Sequence, residues 1–171
     1  MTSSIGGNIK ILNKIIVILW VLSLSIGCKA SNLELDNKNQ IEAEVNKAFE
    51  GLVEAAKSLD SSRYFEFFDR ENFTGLNADG KVWHSIKSLE SIILPGFQMV
   101  EKTISLDFRN VKITVINQTT AILVNEYDQT ILLKSGEIIK QSGGGTQVWH
   151  QIDSSWKLVS VSSSNSAHSG T

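Results

Sequence analysis

The stretch that most constrains this chain lies near its end. Gln147 to Ile152 and Trp156 to Ser163 are two runs rich in aromatic and β-branched residues, separated by Asp153-Ser154-Ser155. That pattern around a short polar turn predicts a β-hairpin. Trp149 and Trp156, one on each arm, read as core side chains, because large aromatics dominate core burial.

Upstream of the hairpin the apolar period is two from Met99 onward. Ile104, Leu106 and Phe108 alternate, then Val111, Ile113 and Val115 alternate with shifted parity. The shift places a bulge at Arg109-Asn110. Asn117 to Thr120 is a turn, Ala121 to Lys134 a long strand, and Ser135-Gly136-Glu137 a second turn. Ile138 to Gln141 leads into Gly143-Gly144-Gly145, where missing side chains permit a kink or a close backbone approach.

Before Met99 the period is that of a helix. Ile41, Val45, Ala48, Phe49, Leu52, Val53, Ala56 and Leu59 form one stripe, with Asn39 as N-cap and Glu42 at the third helical position. Asp60 can cap a short second helix reaching about Asp69 and bearing Tyr64, Phe65, Phe67 and Phe68. Ala78-Asp79-Gly80 turns between two short extended pieces. Ile86, Leu89, Ile92 and Ile93 mark a third helix from His84 to Leu94, which Pro95-Gly96 ends. Helices first and an antiparallel sheet afterwards give an α+β class.

The order Thr146-x-Val148-Trp149-His150, a turn opened by Asp153, then Trp156 and Val159-x-Val161 resembles the last hairpin of the nuclear transport factor 2-like, or SnoaL-like, domains. Among these it is similar to the association domain of calcium/calmodulin-dependent protein kinase. The helix, Asp60, and short aromatic helix with Tyr64 resemble the start of the same family, so the likeness covers Gln40 to Ser166. It implies a cone: a strongly curved antiparallel sheet wrapped over a long N-terminal helix, with a pocket at the open end.

Alternation then sorts the side chains. Gln147, Trp149 and Gln151 should face inward, with Leu123, Asn125, Tyr127 and Gln129 on the long strand. Val159, Val161 and Ser163 should share a face, and Tyr64 and Phe68 should close the mouth with Trp83 or Met99. The expected ligand-binding set is Tyr64, Phe68, Trp83, Asn125, Tyr127, Gln147, Trp149 and Ser163. Glu126, Asp128 and His150 point outward. Ketosteroid isomerases and SnoaL-like cyclases, enzymes of this fold family, depend on a pocket carboxylate and often a tyrosine. This register supplies the tyrosine and no inward carboxylate. The kinase domain's last strand reads like His-aromatic-His-Arg-Ser. Here it is Ser160-Val161-Ser162-Ser163-Ser164, and the positions of the kinase pocket's arginines fall on Tyr127, Gln147 and Ser163.

Three functions follow as alternatives. One is binding of a small, mostly apolar ligand in the cone without catalysis. A second is isomerase- or cyclase-type catalysis, if Glu126 and His150 turn inward or Asp69 reaches the mouth. A third is homodimerisation through the outer sheet face, where Ile122, Val124, Thr130 and Leu132 form an apolar strip.

The first residues read as an export signal. Lys10 and Lys14 precede the apolar run Ile15 to Ile26, which is short for a membrane span. Leu24-Ser25-Ile26-Gly27-Cys28 resembles a bacterial lipobox, with Leu24 one place further back than usual. That resemblance implies cleavage before Cys28, lipidation of Cys28 and anchoring to a lipid bilayer in a bacterial cell envelope. The resulting division is a signal over 1–27, a polar tether over 28–38, the domain over 39–166 and a polar tail over 167–171. From Cys28 on, fourteen basic groups face eighteen acids, a net charge of −4. That argues against a nucleic-acid partner, which needs basic patches for phosphates. One cysteine and three separated histidines, His84, His150 and His168, give no metal spacing. No cofactor motif is present; the triple glycine is not followed by a helix.

Overall fold

The structure is a computed structural model that describes residues 34–166. The expected signal, the lipidation site Cys28 and the tail 167–171 lie outside the described residues. The chain divides into two compact units, Met1–Gln40 and Ile41–Thr171. Of the first, residues 34–40 are helical and exposed.

Helix α1 runs over residues 34–57, so Asn39 lies inside it rather than capping it. From Ile41 on, the buried stripe is Ile41, Val45, Phe49, Leu52 and Ala55. Leu59, in the left-handed conformation (φ 56), ends the turn after α1. Asp60 then caps α2 (Ser61–Glu66), its carboxylate accepting from the Arg63 amide at 3.0 Å. Helix α2 stops short of Asp69 because the chain is recruited to the sheet. The Leu158 amide donates to the Phe67 carbonyl at 2.7 Å, and the Asp69 amide donates to the Leu158 carbonyl at 2.9 Å.

Strands β1 (Thr74–Leu76) and β2 (Val82–Trp83) flank the expected turn, with Gly80 at φ 82. Helix α3 runs from Ile86 to Met99, straight through Pro95-Gly96, where the sequence predicts a stop. Pro95 removes one backbone donor. The carbonyl it frees belongs to Ser91, and both residues are exposed, so that carbonyl is open to solvent rather than buried.

Strands β3 (Val100–Asn117), β4 (Thr120–Leu133), β5 (Ile138–Ile152) and β6 (Ser155–Asn165) follow as an antiparallel meander. The six strands are ordered β2-β1-β6-β5-β4-β3. The sheet is mixed rather than purely antiparallel, because β1 runs parallel to β6. The bulge expected at Arg109-Asn110 is present: register shifts between Arg109 and Lys112, and Asn110 is left-handed at φ 52. Strand β5 keeps its pairing with β4 unbroken through its glycines. A Cβ on Gly143 would stand 1.9 Å from the Ser164 carbonyl oxygen, so the glycine serves close pairing with β6. The final hairpin turns on Asp153-Ser154, both at positive φ (47 and 63), and β6 begins at Ser155.

The core lies between the helices, α1 from Ile41 on, and one face of the sheet. Ile41, Val45, Phe49, Phe65, Phe68, Leu89, Leu123, Trp149, Trp156 and Leu158 belong to it. The Trp156 indole donates to the Glu44 carboxylate at 3.0 Å, tying α1 to β6.

The inner face of the sheet as candidate functional site

Strand β4 pairs with β5 without a break from Thr120–His150 to Leu132–Ile138. Ala121, Leu123, Asn125, Gln147 and Trp149 are buried, while Glu126 is exposed. The expected parity therefore holds on both strands. On β6 it holds only in part. Val148 pairs with Ser160 and Trp149 with Leu158, so Val159 is an extra, bulged residue. Trp156 and Leu158 consequently face inward, and Val159 does not share the face of Val161 and Ser163. Those two remain on it, opposite Gln147 and Gly145.

Several expected pocket residues are core. Trp149 is fully buried, and its indole donates to the Gln147 side-chain oxygen at 3.0 Å. Phe68 and Trp83 also belong to the core cluster. Tyr64 packs its ring on Phe65, Phe68 and Phe97, with centroids 5.3, 5.1 and 5.5 Å away. Burial pushes its phenol up to about 12. Met99 is 58% exposed and does not close this cluster. Phe97 contacts Tyr64 instead, one helical turn beyond Ile93. The i, i+4 spacing from Ile93 is its signal in the sequence, masked by Pro95-Gly96 between them.

The polar inner row is built on glycine. Asn125 opposes Gly145, which opposes Ser163; Tyr127 opposes Gly143, which opposes Asn165. A Cβ on Gly145 would lie 3.4 Å from the Asn125 oxygen, and one on Gly143 would lie 3.0 Å from the Tyr127 ring. The bare backbone lets both side chains lie across β5. The Tyr127 hydroxyl donates to the Asn165 side-chain oxygen at 2.7 Å, and partial burial raises its phenol above the ordinary value. Among the described residues, two buried side-chain atoms have no hydrogen-bond partner: Asn125 Oδ1 and Trp83 Nε1.

The carboxylates are engaged elsewhere. Asp69 is buried but accepts from the Glu71 and Asn72 amides at 2.9 and 3.2 Å and from Asn72 Nδ2 at 3.0 Å. Burial pushes its carboxyl up, but these bonds, with His150 nearby, outweigh burial and hold it below the usual value. His150 Nδ1 lies 3.0 Å from the Thr120 hydroxyl, on the side of the sheet opposite Trp149. Asp128, also outward, pairs with Arg109 rather than with a lysine. No three His, Cys, Asp or Glu among the described residues are grouped to hold a metal ion.

Three comparisons bear on this geometry. A family model described as a SnoaL-like domain matches residues 45–168. No curated protein matches the sequence. A nuclear transport factor 2-like superfamily protein from Salmonella enterica serovar Typhimurium superposes with a TM-score of 0.68 at 16% identity, over 78% of this chain and 96% of that one. A candidate scytalone dehydratase from Novosphingobium aromaticivorans gives 0.70 at 10% identity, over 77% and 87%. The association domain of calcium/calmodulin-dependent protein kinase II from C. elegans gives 0.61 at 16% identity, over 75% and 98%.

Proposed function

The chain belongs to the SnoaL-like domain family, and from that membership we propose that it binds a small, mostly apolar, neutral ligand at the inner face of its sheet, without catalysis. One observation carries the reading. Asn125 Oδ1 and Trp83 Nε1, an acceptor and a donor, are buried without partners. Each such atom costs about 1–3 kcal/mol while unpaired. A ligand that supplies the missing partners recovers that cost. The Tyr127 hydroxyl already donates to Asn165, and the Gln147 side-chain oxygen already accepts from Trp149, which makes Asn125 and Trp83 the leading polar contacts. The polar residues of this row, Asn125, Tyr127, Gln147 and Ser163, carry no charge, so an anion would lose hydration with nothing to replace it.

The catalytic alternative is less well supported. Neither tyrosine makes a hydrogen bond to a carboxylate among the described residues, and Asp69 is held by its own loop. The test is a screen of neutral apolar probes against carboxylates, at low and high ionic strength. It is run on wild type, Glu126→Gln and His150→Ala. Neutral probes should bind best, with little salt dependence, and both variants should match wild type. Tight, salt-sensitive anion binding, or a turnover lost in either variant, would move the reading to an enzyme.

Self-association through the outer sheet face is a second reading. Ile122, Val124, Thr130 and Leu132 point there by register, and Val124 is 39% exposed. One structural neighbour is itself an association domain. Two such faces could pack sheet on sheet. Light scattering should show a dimer that Val124→Lys converts to monomer; a wild type that is monomeric at high concentration would end the idea.

The membrane tether is part of the same proposal. Acyl chains on Cys28 supply the anchoring, so Cys28→Ser should move the protein from the membrane fraction to a soluble form. Unchanged fractionation and unchanged mass would reject it.

A further inference from the structure

Strand β5 carries glycine at two inward positions, and the chain's own packing explains only Gly143. A Cβ there would stand 1.9 Å from the Ser164 carbonyl oxygen, so pairing with β6 demands glycine. Gly145 meets no such demand. Its φ lies outside the left-handed region. A Cβ on it would meet nothing closer than 3.4 Å, an ordinary van der Waals contact. A bare position inside a strand weakens the strand and marks either a bulge or a close approach by something else. Pairing with β4 and β6 runs through Gly145 without a bulge, which leaves the close approach.

The half-buried backbone at Gly145 is the floor of a small polar frame. Asn125 faces it from β4 and Ser163 from β6, about 10 Å apart across two strand spacings. On one side the Tyr127 hydroxyl bonds Asn165 at 2.7 Å over Gly143. On the other stands Gln147, its oxygen held by Trp149. The Asn125 carboxamide lies along the floor: Oδ1 and Nδ2 are 3.4 and 3.7 Å from the point a Gly145 Cβ would take. Asn125 is 7% exposed. Its Oδ1 has no partner, and its Nδ2 donates to no described residue. Such an amide can turn over without losing a bond, so it offers a donor and an acceptor side by side in either order.

Resting on the reading that the inner face binds a neutral ligand, we propose that the polar end of that ligand is a carboxamide or lactam, laid on Gly145 and paired with Asn125. Such a group carries an N–H and a C=O on neighbouring atoms, so it can form two parallel hydrogen bonds with another carboxamide. It satisfies both Asn125 atoms at once. A ketone or ester brings no donor for Oδ1, and a carboxylate brings no donor and a charge with no cation to meet it. The missing methyl of Gly145 is the space the planar group occupies.

The experiment is a fluorine NMR titration of the full chain in lipid nanodiscs, with empty nanodiscs as the blank. The probes are 4-fluorobenzamide, 4-fluoroacetophenone and 4-fluorobenzoate, which share one body and have polar ends of similar shape. The amide should bind roughly three- to tenfold tighter than the ketone, the scale of one neutral hydrogen bond, and the benzoate should bind weakest. Asn125→Leu should erase the difference between amide and ketone. Gly145→Ala should melt at or above the wild-type temperature, since the position accepts a methyl, yet lose at least threefold in amide affinity because the methyl fills the floor. Amide and ketone bound alike by wild type would overturn this inference and leave the neutral-ligand reading standing. Benzoate bound tightest, or none of the three bound, would overturn both. A Gly145→Ala chain that melts well below wild type, or that binds the amide as wild type does, would show that the bare position is not kept for a ligand.

Discussion

The two faces of the meander are built from the same strands and have opposite characters. Across β3, β4, β5 and β6, the inner row Ile113, Leu123, Gln147, Val161 is apolar but for one amide. The neighbouring outer row Lys112, Val124, Thr146, Ser162 is polar but for one valine. The inner face therefore carries stability and holds unpaired polar atoms at a cost. The outer face contributes little to the fold of one copy and is free to serve association. On β5 the outer strip is continued by Val148 beside Ile122 and by Ile138 beside Leu132, while Thr146, Ser160 and Ser162 interrupt it with polar side chains.

The sharpest contrast comes from truncation. Trp149→Ala should cost about 3–5 kcal/mol, since Trp149 is fully buried and its loss strands the Gln147 oxygen. Chemical denaturation measures it. A midpoint that hardly moves would mean that the inner face is not the core.

Alkali should attack the same side. The Tyr64 phenol is raised from 10.0 to about 12 in the folded state. The folded protein thus keeps a proton that the unfolded chain releases between those values. The stabilisation is fully present below pH 10 and lost as pH rises through 12, about 3 kcal/mol in all. Denaturation of wild type and Tyr64→Phe across that range isolates the contribution of this phenol. Equal pH slopes would show that Tyr64 ionises freely.

On the outer face, Thr146→Ala should stay within about 0.5 kcal/mol, as should Ser162→Ala. A larger loss in dilute monomer would blur the distinction between the faces; a loss that appears only at high concentration would sharpen it.

What could be read in advance follows a physical line. The hairpin, the Arg109-Asn110 bulge and the inward parity of β4 and β5 are local: period two, a change of parity and turn residues announce them. The rest depends on partners far along the chain. Nothing near Val159 marks it as a bulge; only pairing with β5 does. Ile104 alternates correctly yet is 50% exposed, because a further register shift falls between Thr103 and Ser105. Whether Pro95 ends the helix or is passed through depends partly on the exposure of the carbonyl it frees, and exposure is a property of the fold. Of the candidate site, the inward placing of Asn125, Tyr127 and Gln147 follows from alternation. Which of them is left unpaired depends on Trp149 and Asn165, and no spacing in the sequence states that.

The claim at the centre is that the unpaired oxygen of Asn125 is kept for a ligand. Thermal melting of wild type and Asn125→Leu, each with and without the best neutral probe, tests it directly. Leucine removes an unsatisfied buried group, so the unliganded variant should be more stable by about 1–3 kcal/mol, and the probe should no longer raise its melting temperature. An unliganded variant less stable than wild type, or one that the probe stabilises as fully as wild type, would contradict the account.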